Sequence, residues 1–192
     1  MKMSIKLQIL KFLIQNKERT FSMNEISKLL KIDYKLVHTN IKKLEEKRSI
    51  EVVDQKSQKR CSFKNDFNED VFNVEYERRN ILLEKKEFEA IYNKLKIINS
   101  QFILLLFGSH AKGTNTNSSD VDLLLICEEQ TEKQIKEKLG TLPLDIHQTH
   151  ISYKSFKEML KSKELTVISE ALKNNIILFG IEDYYRLLEN AK

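Results

Sequence analysis

The sequence predicts an α+β chain in two parts: a basic module of three helices and a strand hairpin, then a small domain whose mixed sheet is flanked by helices. Three observations carry this. Residues 1–64 hold sixteen Lys and Arg against seven Asp and Glu, a net +9, whereas residues 65–192 hold a net −4 within a total of +5. Apolar residues recur at helical spacing through the first third of the chain. Two short apolar runs, 102–107 and 121–127, flank a polar loop that holds two of the 4 glycines, as expected of strands covered on both faces.

Composition narrows the classes. A chain of 192 residues with 32% charged residues and a single Pro has room for one or two packed domains and none of the bias of disordered chains. Its apolar runs are far shorter than the ~20 residues that span a bilayer. The start, MKMSIKLQIL, lacks the apolar centre and cleavage site of a signal peptide. The expectation is a cytoplasmic protein with no membrane attachment. Cys61 and Cys127 are too few and too far apart for a disulfide framework or a zinc motif, and Cys127 reads as a buried strand residue.

Ile5, Ile9, Phe12 and Leu13 mark a first helix that ends near Asn16. A turn leads to FSMNEISKLLK, which carries a capping box: the Ser22 hydroxyl takes the Glu25 amide while the Glu25 carboxylate reaches back. Asp33 is a good N-cap for a third helix, whose buried stripe is Val37, Ile41 and Leu44. Lys35, His38, Thr39 and Lys42 fall on its other face, toward the N-terminal half, where a recognition helix meets base edges. SIEVVDQKSQKRCSF then alternates as a two-stranded wing around a basic tip of Lys56, Lys59 and Arg60, suited to phosphate. These elements, about residues 4–64, resemble the winged helix-turn-helix domain of bacterial and archaeal regulators. That resemblance implies double-stranded DNA as partner; a protein-interaction module is the alternative.

Residues 65–84 read as a helical linker and 85–192 as the second domain, with Ile81, Leu82, Phe88, Ile91, Tyr92 and Leu95 on an apolar face. The strand 102–107 runs into Gly108-Ser109. Glycine permits a sharp turn and leaves main-chain amides open to a ligand, and a helix from near Ser109 aims free N–H groups at an anion. Lys112 adds positive charge and Gly113 ends the short helix. Asp120 and Asp122, two apart at the start of a strand, point to one face, and two carboxylates so close call for a cation. Mg²⁺ takes one or two carboxylates and favours phosphate oxygens. PLDIHQT reads as a further strand with Asp145 and His147 on one face. Three aspartates beside a phosphate turn make a two-metal arrangement.

FGSHAKGTNTNSSDVDLLL resembles the signature of the DNA polymerase beta-like nucleotidyltransferases: hydrophobic-Gly-Ser, about ten residues, then Asp-x-Asp, with a later lone acidic strand residue. Residues 85–180 carry the resemblance, including EALKNNIILFG as a closing helix and strand. It is nearest to the minimal nucleotidyltransferases, some of them antitoxins paired with a helical toxin. The resemblance implies that Gly108 and Ser109 hold nucleotide phosphates, with Lys112 where Arg is usual; apart from it, the hydroxyl of Ser118 or Ser119 could reach phosphate. It implies that Asp120 and Asp122 bind metal, with Asp145 completing the catalytic set. The implied reaction moves a nucleoside monophosphate, AMP first, from ATP or another NTP to a hydroxyl, with Mg²⁺ as cofactor and a toxin-like protein as a candidate acceptor. The rival is a DNA-binding regulator whose second domain senses nucleotide or is inert.

Asp145 reads as a ligand or as a solvated strand-edge carboxylate. Ser118 and Ser119 shape the turn before Asp120. His147 reads as a bystander, and His110 and His150 receive no role. IEDYYRLLENAK is an amphipathic helix for core or dimer packing, so a homodimer is an open possibility.

Overall fold

The computed structural model describes residues 3–55, 58–116, 119–162 and 167–190. The chain divides into two compact units, Met1–Val74 and Glu75–Lys192. Helices and sheets are mixed in both, an α+β fold. Among the described residues no helix is long and apolar enough to cross a membrane.

The first unit begins with α1 (Ile5–Gln15), whose Ser4 hydroxyl accepts from the Leu7 amide and whose Ile9, Leu10, Leu13 and Ile14 are buried. Strand β1 (Phe21–Ser22) leads directly into α2 (Met23–Leu30). The capping box forms as the local chemistry requires: the Ser22 amide donates to Glu25 Oε2 at 2.6 Å and the Glu25 amide to Ser22 Oγ at 3.2 Å. The bond from the Ser22 amide, above all, lowers the Glu25 carboxyl below its ordinary 4.5. A lowered folded value means the contribution is present above 4.5 and is lost as pH falls through the folded value. Ser22→Ala is expected to cost about 1 kcal/mol, read as a lower urea midpoint.

Asp33 caps α3 (Tyr34–Glu46) by accepting from the Lys35 and Leu36 amides, and Val37, Ile41 and Leu44 are buried. Strands β2 (Ile50–Gln55) and β3 (Gln58–Phe63) follow as an antiparallel hairpin in which Gln55 pairs with Gln58. The sheet has three strands where the alternation alone suggested two. Phe21 pairs with Cys61 and Ser22 with Arg60, giving the order β1-β3-β2. Side chains of α1, α2, α3 and the sheet meet in a core of Ile9, Leu10, Leu13, Ile26, Val37, Ile41, Leu44 and Cys61, all fully buried.

Helix α4 (Glu69–Leu83) contains the division between the units. The second unit continues through α5 (Lys86–Leu95), β4 (Ile103–Leu106), α6 (Gly108–Lys112), β5 (Val121–Ile126) and α7 (Glu129–Leu139). It closes with β6 (Ile146–Ile151), α8 (Tyr153–Ser162), α9 (Val167–Lys173), β7 (Ile176–Phe179) and α10 (Ile181–Glu189). The sheet order is β6-β5-β4-β7. It is mixed: β5 and β6 run parallel, while β4 is antiparallel to β5 and β7.

Phe88, Ile91 and Leu95 of α5 and Ile135 and Leu139 of α7 pack against Leu104, Leu106, Val121, Leu123 and Leu125 of the sheet. Ile103, Leu105, Leu124 and Ile126 are also fully buried, so the central strands are covered on both faces and their unbroken apolar sequences follow. Ile81, expected on the apolar face, is instead 45% exposed, and α10 buries Ile181, Tyr184, Tyr185 and Leu187.

A polar network crosses the second unit's interior. Glu75 Oε2 pairs with Arg78 Nη1 at 2.6 Å, and Tyr185 Oη donates to Glu75 Oε1 at 2.6 Å. Arg78 Nη2 donates to the Asn175 carbonyl at 2.6 Å, and the Asn175 amide donates to Tyr184 Oη at 3.1 Å.

Both cysteines are free and buried, and burial pushes each thiol up to about 11. Since the thiolate is the nucleophile, neither is expected to react with iodoacetamide at about pH 8 until the chain unfolds; mass spectrometry with and without urea checks this.

Candidate active site

Strand β4 delivers the chain to Gly108, where φ is +68°. Two constraints make glycine necessary there. A side chain is strained at that φ, and a Cβ would lie 2.1 Å from Asp122 Oδ2 and 3.0 Å from Asp122 Cγ. The Asp122 carboxylate thus rests directly on the Gly108 backbone. The ladder bond from the Phe107 amide to the Asp122 carbonyl, 3.0 Å, locks the two strand ends in that register.

From Gly108 the chain makes the five residues of α6, and Gly113 ends it in the left-handed conformation, φ +70°. The Thr114 amide donates to the Ser109 carbonyl at 3.0 Å, folding the loop back over the turn. Residues 117 and 118 lie outside the described residues, Ser118 among them. On either side of them, the Thr116 amide donates to Ser119 Oγ at 2.9 Å and the Ser119 amide to the Thr116 carbonyl at 3.2 Å.

Strand β5 starts one residue after Asp120. The Val121 amide donates to the Asp145 carbonyl at 2.8 Å, and the parallel register pairs Val121 with Ile146 and Asp122 with His147. Alternation turns Asp120 and Asp122 to the face opposite buried Val121. Asp145 sits just before β6, one residue ahead of the Val121–Ile146 pair. His147 Nδ1 is 3.4 Å from Asp122 Oδ1, a proximity that reading the strand alone did not supply.

The three carboxylates do not gather at a point. Asp120 and Asp145 are exposed and Asp122 half-buried, and among the described residues no three His, Cys, Asp or Glu side chains cluster tightly enough to hold an ion. The expectation of a converged trio is corrected to that extent. Like charges at neighbouring strand ends repel, and the two exposed ones reach water instead. The donor set still fits Mg²⁺: hard oxygen donors, two at the start of one strand and one just before its parallel neighbour.

Lys112 forms an ion pair with Glu170 of α9. The cation expected at the phosphates is thus held by a carboxylate. Beside the loop lies a cleft of about 540 Å³ lined by Glu87, His110, Thr116, Ser119, Leu144 and Asp145, among others.

In the first unit, Lys35, Thr39 and Lys42 are exposed on α3 and His38 is half-buried, stacked on Tyr34 at 6.4 Å. Lys59 is exposed near the hairpin end, and Lys56 lies outside the described residues. Arg60 is not at the tip. Its Nε and Nη2 donate to the Thr20 hydroxyl and carbonyl at 2.8 and 2.6 Å, with Glu25 at 3.3 Å. Tyr34 and Leu36, 50% and 46% exposed, extend the α3 surface.

The family model described as polymerase beta, nucleotidyltransferase matches residues 89–184, half of the chain and the whole of the Gly108–Asp122 region. The chain belongs to the polymerase beta nucleotidyltransferase family. Membership supports a nucleotidyltransferase-like function for the second unit. Gly108, Ser109, Lys112, Ser119, Asp120, Asp122 and Asp145 all fall inside the matched nucleotidyltransferase segment, and the first unit falls outside it. No curated protein and no solved structure gives a match.

Proposed function

We propose that the second unit transfers a nucleoside monophosphate, AMP in the first instance, from a nucleoside triphosphate to a hydroxyl acceptor and releases pyrophosphate. The observation that carries this is the Asp122 carboxylate seated on Gly108, which joins an acidic strand end to a phosphate-type turn. Asp120, Asp122 and Asp145 would hold Mg²⁺. When bound, the ion offsets triphosphate charge and eases ionisation of the acceptor hydroxyl. The chain's own residues orient the reactants. The Gly108-Ser109 turn would offer main-chain amides to phosphate oxygens, and Ser119 closes the loop on that side. The acceptor oxygen bonds to the α-phosphorus, the bond to the bridging oxygen breaks, pyrophosphate leaves with the electron pair, and the hydroxyl proton passes to solvent. A toxin-like partner protein is the proposed acceptor. Incubation with α-labelled ATP, Mg²⁺ and candidate acceptors tests the reading: label on a protein side chain supports it, and label on no acceptor removes it.

For the first unit we propose a winged helix-turn-helix that binds double-stranded DNA, α3 reading the groove and the β2–β3 hairpin acting as the wing. Support comes from the +9 charge of residues 1–64 and the exposed Lys35, Thr39 and Lys42. DNA affinity is expected to fall linearly on a log–log plot against salt. Lys35→Glu with Lys42→Glu is expected to weaken binding at least about tenfold and flatten the salt slope by roughly one for each phosphate no longer neutralised. Fluorescence anisotropy at several salt concentrations reads both; unchanged affinity would sink the DNA proposal.

A second reading has one observation in its favour. With Lys112 paired to Glu170, the second unit also suits a nucleotide sensor attached to a DNA-binding regulator, cytoplasmic and in dimeric form. ATP binding without transfer, coupled to a change in DNA affinity, distinguishes it.

A further inference from the structure

We infer that His110 is a positioning residue of the candidate site, its Nε2 tying the peptide that carries Asp120 to the turn that begins at Gly108. This role rests on the metal and phosphate reading of that site. His110 lies on α6, two residues after Gly108, and is 8% exposed, its ring edge-on to Phe88 of α5 at 5.4 Å. Nε2 is 3.2 Å from the Ser119 carbonyl oxygen. A carbonyl only accepts, so Nε2 carries the proton and donates. That carbonyl belongs to the Ser119–Asp120 peptide. The next peptide, Asp120–Val121, is held too, by the Val121 amide on the Asp145 carbonyl. His110 therefore links three things: the α5 wall, the glycine turn and the strand end bearing the first of the two aspartates.

The other ring nitrogen argues that this link, rather than packing, is why a histidine is there. Nδ1 is buried and has no hydrogen-bond partner among the described residues. An unsatisfied buried polar atom is a net cost that an apolar side chain of similar size avoids. Met would fill the space beside Phe88 without that cost, and what it cannot do is donate to Ser119. A residue kept for stability should lose stability on replacement; one kept for position should lose geometry at Asp120 and little else. Residues outside the ligand set that orient it change metal affinity by about 10–100-fold when removed.

The test uses the full chain, with Mn²⁺ as the probe in the presence of ATP and the EPR signal of the free ion as readout. The wild type is expected to show a bound component that disappears in Asp120→Asn. His110→Met is expected to weaken that component at least about tenfold with a melting temperature equal to or above wild type. His110→Gln, whose amide nitrogen reaches the Nε2 position, is expected to restore most of it. Three results overturn the role: His110→Met binding like wild type, His110→Met losing affinity only in step with a lower melting temperature, or His110→Gln no better than Met. A wild type with no component sensitive to Asp120 overturns the underlying reading and this role together. Long-range ¹H–¹⁵N spectra test the tether separately, since it requires the Nε2–H form; an Nδ1–H tautomer removes it whatever the metal does.

Discussion

On the proposed reading, Asp120→Asn combined with Asp122→Asn is expected to lower nucleotidyl transfer by about 10³-fold or more and to leave the fold intact. The size follows from the electrostatics: metal-held charge stabilisation in a transferring phosphate is worth several kcal/mol, and each ~1.4 kcal/mol is tenfold in rate. Intact folding is expected because Asp120 is exposed and Asp122 half-buried, and because replacing two neighbouring like charges with neutral isosteres relieves repulsion. Gly108→Ala approaches the same loss from the opposite side. Its Cβ would meet Asp122 Oδ2 at 2.1 Å, so the carboxylate must swing away from the turn, and the strained φ adds a stability cost of order 1 kcal/mol. The contrast is diagnostic. The double Asn variant should melt at or above wild type, Gly108→Ala below it, and both should fail in transfer of labelled AMP. Transfer surviving in the double variant would remove these carboxylates from the chemistry.

Glu75→Ala destabilises the second unit by about 3–5 kcal/mol, the cost of leaving one member of a buried ion pair uncompensated. Arg78 is 7% exposed and keeps only the Asn175 carbonyl among the partners described for its guanidinium, while Tyr185 Oη loses the Glu75 acceptor. Removing both charges, in Glu75→Gln with Arg78→Met, should recover much of the loss, since an apolar replacement of a buried pair is often neutral or better. Urea unfolding of the three proteins checks the order. The network also sets a pH limit. Burial, above all, raises Tyr184 and Tyr185 beyond the ordinary 10.0. An acid whose folded value is raised keeps its proton in the native state while the unfolded chain ionises, so stability declines as pH climbs past 10.0, with a slope set by the proton difference. A melting temperature that holds level from pH 9 to about 11 would contradict that burial.

Features written within a few residues of each other were readable from the sequence. The Ser22–Glu25 box, the Asp33 cap and the Gly113 terminus each involve groups no more than about four residues apart, and all three recur in the structure. The central strands were legible for a related reason, since unbroken apolar runs such as ILLL have few other places to go. Long-range partners had no such signature. Arg60 meets Thr20 across forty positions of sequence, Lys112 meets Glu170, and His147 meets Asp122 only because the β5–β6 register puts them side by side. His110 gave no hint at all, because its contact with the Ser119 carbonyl depends on how the loop after α6 folds back.

Sequence alone carried much of the local grammar: the helical and strand periodicities, the Ser22–Glu25 and Asp33 caps, and the expectation that Asp120 and Asp122 share a face. It did so because 3.6- and 2-residue periodicities and capping bonds are short-range. Folding in three dimensions settled which side chains meet: Asp122 on Gly108, Glu170 on Lys112, and three carboxylates held apart rather than joined. Those outcomes turn on strand register and on charge repulsion between ends brought together from distant parts of the chain, and neither quantity is carried by any short window of residues.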